Sequence, residues 1–217
     1  MKILHVVGSF PVGTHTFVLW QLHGAIARGH QVKVLATNPG NDAGYAMVRR
    51  LGLADDLAIY ANYRDYAPWG LDLRRLNSAV VRAADRARYG RVLAERRKSF
   101  FCNLATRSEL QDVDVVQVHF VNWAIEIGLG LAQVLRKPCV VTAHGAVMET
   151  SDGFLRQVDH DADAVVVVSG GERDVWLARS NSDAKLHTVW NGLPLPPPPI
   201  RTDAGHDRGS LDLVTIG

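Results

Sequence analysis

Val113-Asp114-Val115-Val116-Gln117-Val118-His119 is a strand that is apolar on both faces. It is followed by a helical span at 123–136 and then by a second such strand, Pro138-Cys139-Val140-Val141-Thr142-Ala143. Strand, helix, strand within about thirty residues is the spacing of a parallel β-α-β unit, and strands apolar on both sides belong in the middle of a sheet covered by helices. The same alternation extends in both directions. Further strands are expected at 3–7, 31–36, 164–168 and 186–189, and helices at 14–28 and 170–179. In the first helix the apolar positions Phe17, Val18, Leu22, Ala25 and Ile26 recur at helical spacing, and Gly29 follows as a stop. Right-handed crossovers between such units give an α/β fold, a doubly wound Rossmann-like parallel sheet with helices on both faces.

Composition sets the limits. A chain of 217 residues with 47% hydrophobic content has ample material for one sizeable core. The net charge of +2 offers no general attraction to nucleic acid, and none is expected as a partner. Cys102 and Cys139 stand far apart without metal or redox spacing, as in a reducing compartment. The opening residues are too short an apolar run for a signal peptide, and no stretch approaches the roughly 18 apolar residues of a membrane span. The chain therefore reads as cytoplasmic.

One segment is strongly basic. Residues 71–101 carry nine arginines and lysines against three acidic residues, interspersed with Leu73, Leu76, Val80, Val81 and Leu93. Two readings stand side by side: a solvated helical face whose arginine stems lie over the core, or an interfacial helix drawn to the anionic inner face of the cell membrane.

In a doubly wound sheet ligands gather outside the carboxyl ends of the strands, so the loops there are where chemistry is expected. The first is Gly8-Ser9-Phe10-Pro11-Val12-Gly13-Thr14-His15-Thr16, in which Gly13 lets backbone approach a ligand and Thr14 or Thr16 can cap the helix. It lacks the Gly-x-Gly-x-x-Gly dinucleotide pattern. His119 ends one central strand, either as a ligand contact or as a satisfied structural group. His144, followed by Gly145, ends the next and places an imidazole and accessible backbone at the crevice; it is the strongest single candidate, the alternative being a ring that shapes the loop through backbone hydrogen bonds. Ser169 with Glu172 three residues later fits a capping box better than a phosphate turn. Zinc spacing, a Gly-x-Ser-x-Gly elbow and a phosphate-binding P-loop are all absent from the sequence.

Taken in order, Phe10-Pro11 with Thr14-His15-Thr16-Phe17, Arg28 to Val34, Val115 to Phe120, Thr142-Ala143-His144-Gly145, Val168-Ser169 with Arg173, and Lys185 to Gly192 resemble the N-terminal half of a GT-B fold glycosyltransferase of family 4, with the exopolysaccharide and surface-glycan branch the nearest in look. The resemblance implies a retaining transferase with a nucleotide-sugar donor and a glycan or lipid-linked acceptor, needing neither cofactor nor metal. It implies that residues 1–192 form the acceptor domain, 193–210 a proline-rich linker, and 211–217 the first strand of a donor domain, the fragment alone being inactive. It places Gly13 near the donor phosphates or acceptor, His144 beside the transferred sugar, and Thr14, His15, His119 and Gly145 around the substrates. Two positions depart from the family pattern: His15 stands where glutamate is common, and Val147 where an aspartate usually follows. The rival readings are a non-catalytic module that grips a glycan or lipid head group, and, less favoured, an oxidoreductase or methyltransferase of Rossmann type.

Overall fold

The computed structural model describes residues 1–61, 100–121, 124–145, 147, 150–180 and 183–192. The basic stretch 71–101, apart from its last two residues, lies outside the described residues, as do residues 193–210, expected to be a linker, and 211–217, expected to be the first strand of a donor domain.

Seven strands form one parallel sheet: β1 (Lys2–Phe10), β2 (Gln31–Pro39), β3 (Ala58–Tyr60), β4 (Val115–His119), β5 (Cys139–Thr142), β6 (Ala164–Val167) and β7 (Leu186–Thr188). Their order across the sheet is β3-β2-β1-β4-β5-β6-β7, the doubly wound order, with its switch point between β1 and β4. The helices are α1 (Thr16–Ala27), α2 (Asp42–Arg50), α3 (Ala124–Leu135), α4 (Asp152–Asp161) and α5 (Gly170–Ser180).

Strand periodicity divides the core in two. Leu4 and Val6 of β1, Val116 and Val118 of β4, and Val141 of β5 point to one face, where they meet Ile125, Ile127 and Leu131 of α3, Leu155 and Val158 of α4, and the fully buried Trp176 of α5. Val7 of β1 with Val32, Val34 and Ala36 of β2 point to the other, against Val18, Leu19 and Leu22 of α1 and Val48 of α2. The fold predicted from the alternation is the fold observed, with helices on both faces.

Helix boundaries follow local chemistry. Gly29 adopts φ +79° after α1, as its position predicted. The start of the same helix departs from expectation: neither Thr14 nor Thr16 caps it. His15 occupies that position without a side-chain hydrogen bond, and Thr16 is already the first helical residue. The helices α2 and α4 and the short strand β3 were not anticipated. Asn41 caps α2 by accepting from the Gly44 amide at 2.9 Å, and Ser151 caps α4 through the Phe154 amide.

Close backbone approach fixes the first loop. Asn41 donates its amide to the Pro11 carbonyl at 2.9 Å, while its side-chain oxygen also accepts from the Gly13 amide at 3.0 Å. Pro11 lies directly on Gly40 and Gly44; a methyl group on Gly44 would stand 2.1 Å from the Pro11 carbonyl oxygen. Gly44→Ala must displace this loop, so we expect a loss of about 1–3 kcal/mol, read as a lower urea midpoint with an unchanged slope.

Candidate functional site

The register of three neighbouring strands builds the site. His5 of β1 is aligned with Gln117 of β4, and His119 of β4 with Thr142 of β5. Side chains on one face of a strand recur every second residue. His119 therefore lies one same-face step beyond His5, and His144 one step beyond His119, in a diagonal row that climbs to the carboxyl edge of the sheet.

The three rings touch. His5 Nδ1 and His119 Nε2 are 2.8 Å apart, and His119 Nδ1 and His144 Nε2 are 3.0 Å apart. Planes of adjacent rings differ by only 15° and 16°, with centroids 5.1 and 5.3 Å apart, which is the geometry of imidazoles hydrogen-bonded edge to edge in a common plane. His5 and His119 are buried, whereas His144 at the end of the row is half-buried.

Burial suppresses the charged form of all three. Desolvation pushes His5 down to about 3 and His144 down to about 4, with the neighbouring His15 adding to the effect on His144. His119 is held well below its usual value, first by burial and then by the fields of His5 and His144. At neutral pH the row is a chain of uncharged imidazoles.

His144 is held in an unusual backbone conformation. It adopts φ +50° and Gly145 φ +86°, while Phe120, the first residue after β4, adopts φ +70°. Such values are uncommon outside glycine and collect where a site over-determines the chain. The restraint is visible. The Gly145 amide donates to Glu172 Oε1 at 2.6 Å, and the Val168 amide donates to Oε2 of the same carboxylate at 2.9 Å. Glu172 in turn donates its own amide to Ser169 Oγ at 3.1 Å, the cap bond the sequence predicted. One carboxylate in the first turn of α5 thus ties together the loops after β5 and β6. The next part of the β5 loop is gripped by Arg179, which donates to the carbonyls of Val147 and Thr150 and pairs with Asp152 at 2.7 Å. Val147, at the position that departs from the family pattern, is buried in the core.

The other candidates fall into two groups. His15 joins His144 through aromatic contacts: its ring is 4.5 Å from Phe120, which is 5.1 Å from His144, and Phe17 is 4.4 Å from His144. Gly145 adjoins the same ring. Gly13 instead turns its amide to Asn41, Thr14 is exposed at the turn, and His119 lies behind His144 with both ring nitrogens engaged.

His144 forms part of the wall of a cleft of about 530 Å³ between α1 and the chain after β7. Phe17, Trp20 and Trp190 supply aromatic surface there, and Gln117 and Thr142 supply polar groups from the sheet. A second hollow, of about 460 Å³, lies at the amino ends of β5 and β6, away from these histidines. Among the described residues no group of histidine, cysteine and carboxylate side chains is placed to hold a metal ion, and no helix is long and apolar enough to cross a membrane.

The family model described as Glycosyltransferase Family 4 matches residues 12–195, most of the chain and all of this site except His5. The chain belongs to glycosyltransferase family 4. Its fold is that of the N-terminal half of a GT-B enzyme of this family. Among solved structures it is similar to a UDP-N-acetylglucosamine 2-epimerase, with 12% identity and a TM-score of 0.53 over 88% of this chain and 48% of that one. The chain thus spans about half the length of that protein. A weaker likeness, with 14% identity and a TM-score of 0.22, is to the periplasmic arabinose-binding component of an ABC transporter from Shewanella sp. ANA-3; it covers 87% of this chain and 90% of that one, and bears on nothing further. No curated protein matches the sequence.

Two outcomes are expected. The unfolded chain protonates its histidines near pH 6.5, whereas the folded row resists until about pH 4 or below, so the unfolded state binds more protons in that window. Stability should be complete above pH 6.5 and fall on acidification by about 1.4 kcal/mol per pH unit for each histidine kept neutral; denaturant titrations at a series of pH values would measure it. Glu172→Ala strands the Gly145 and Val168 amides and should cost about 1–3 kcal/mol, with amide exchange rising in the loops after β5 and β6.

Proposed function

We propose that this domain forms the acceptor-side wall of a glycosyltransferase that moves a sugar from a nucleotide-sugar donor to a glycan or lipid-linked acceptor with retention of configuration. The family match over residues 12–195 carries the transferase reading. The cleft beside His144 supports the sugar. Carbohydrates present hydroxyl groups at their edges and apolar C–H faces between them, and this cleft pairs Gln117, Thr142 and the imidazole with Phe17, Trp20 and Trp190.

Within this scheme His144 orients the sugar. A ring kept uncharged by burial, with Nε2 held by His119, gives the sugar a fixed wall at neutral pH, and its αL backbone, pinned through Gly145 by Glu172, holds it at the rim before substrate arrives. Phe17 and Phe120 pack on the ring and exclude water from one side. His15 and Gly145 border the same space, and Gly13 and Thr14 shape the neighbouring loop. The departing nucleoside diphosphate would be stabilised electrostatically, with no bound metal required. A lipid-linked acceptor would give the basic segment 71–101 a role in contacting an anionic membrane from the cytoplasmic side.

The test is a transfer and donor-hydrolysis screen across nucleotide-sugars with the complete polypeptide. His144→Ala should lower kcat roughly 10- to 100-fold, the scale of a lost orienting contact, with the protein still folded but its melting temperature lowered, because the buried Nδ1 of His119 loses its partner. Unchanged turnover in the variant would remove His144 from the reaction.

A further inference from the structure

The row of histidines reaches deeper than the cleft. His5 lies in the middle of β1, where a buried imidazole is an odd choice among Leu4, Val6 and Val7, and its Nδ1 is bonded to His119 rather than to backbone. We propose that His5, His119 and His144 form one hydrogen-bonded unit whose tautomers are locked together, making His5 and His119 positioning residues that fix the tautomer and orientation of the His144 ring. This rests on the reading of His144 as a sugar contact.

The argument is one of donors and acceptors. A neutral imidazole has one N–H and one bare nitrogen, and each N···N bond needs one of each. If His119 donates from Nε2 to His5 Nδ1, its own Nδ1 is bare and must accept from His144 Nε2–H. That leaves His144 Nδ1 as an acceptor. If instead His5 donates from Nδ1, His119 donates from Nδ1 in turn, and His144 carries its proton on Nδ1 as a donor. Any mixed arrangement sets two lone pairs or two N–H groups face to face inside the protein, losing the bond and leaving both groups unsatisfied. Only two states remain, with all three rings protonated on Nε2 or all three on Nδ1.

Passing from the first state to the second moves one proton across each bond, from His144 to His119 and from His119 to His5. It would also need a proton to enter at His144 Nδ1 and another to leave His5 Nε2, and no acceptor for the latter stands among the described residues, so the row keeps one state while the protein is folded. Within the row the two terminal nitrogens, His5 Nε2 and His144 Nδ1, are both buried without a hydrogen-bond partner among the described residues. The row gives the site a defined polarity without an ionised group.

The experiment uses the complete polypeptide carrying ¹⁵N-labelled histidine. Ring nitrogen shifts at neutral pH report which nitrogen is protonated, and scalar couplings across N–H···N bonds report the bonds themselves. We expect both couplings and one tautomer shared by all three rings. His5→Phe, which keeps a ring but removes its nitrogens, should shift the tautomer balance of His144 and lower kcat about tenfold, the equivalent of one hydrogen bond, with KM for the donor little changed. His5→Asn, which returns a polar group near Nδ1, should recover most of both. Different tautomers in the native rings, or unaltered His144 signals in a folded His5→Phe protein, would overturn the proposal. If His5→Phe does not fold, the couplings and tautomers of the native protein decide alone. Absence of transfer with every nucleotide-sugar would instead defeat the functional reading and leave the spectroscopic result standing.

Discussion

The alignment of β1, β4 and β5 is the constraint on which the site depends. Parallel strands bonded in this register place His5 beside Gln117 and His119 beside Thr142, and the two-residue repeat of the pleat then carries the row forward to His144. A shift of one residue in either pairing would send a member of the row to the opposite face, into the apolar layer under α3. The register is guarded by what lies on that opposite face: Leu4, Val6, Val116, Val118 and Val141 are all buried there, and none could move to the cleft side without exposing a core.

Burial has a second effect. By keeping the imidazoles uncharged it turns the site from a cationic patch into a set of fixed dipoles, whose direction depends on where protons sit. A charged ring in the same place would attract any anion and would also make folding of this sheet far more costly.

Much of this was legible in the sequence, because the fold is set by strong periodic signals. Val32, Val34, Leu35 and Ala36 mark β2 without ambiguity, and the helix after it was overlooked because α2 buries only Gly44 and Val48. The strand β3 is three residues long and owes its existence to pairing with Val34, Leu35 and Ala36 rather than to its own pattern. At the site, His144 stood out because a strand end followed by glycine is where side chains reach a crevice. His5 did not, since nothing in a single strand reveals which residue of a distant strand will lie beside it. Glu172 was half legible: its place three residues after Ser169 signalled the cap, but the destination of its carboxylate, the amide of Gly145, is a long-range fact.

That carboxylate has a mechanical consequence. Because Glu172 has one oxygen on Gly145 and the other on Val168, the two loops share a single splint rooted in the first turn of α5. Neither loop can swing outward by itself without giving up a charge-assisted bond. Any rocking of α5 against the sheet edge is therefore transmitted to the backbone of His144, and the imidazole follows the helix as a pointer follows its arm.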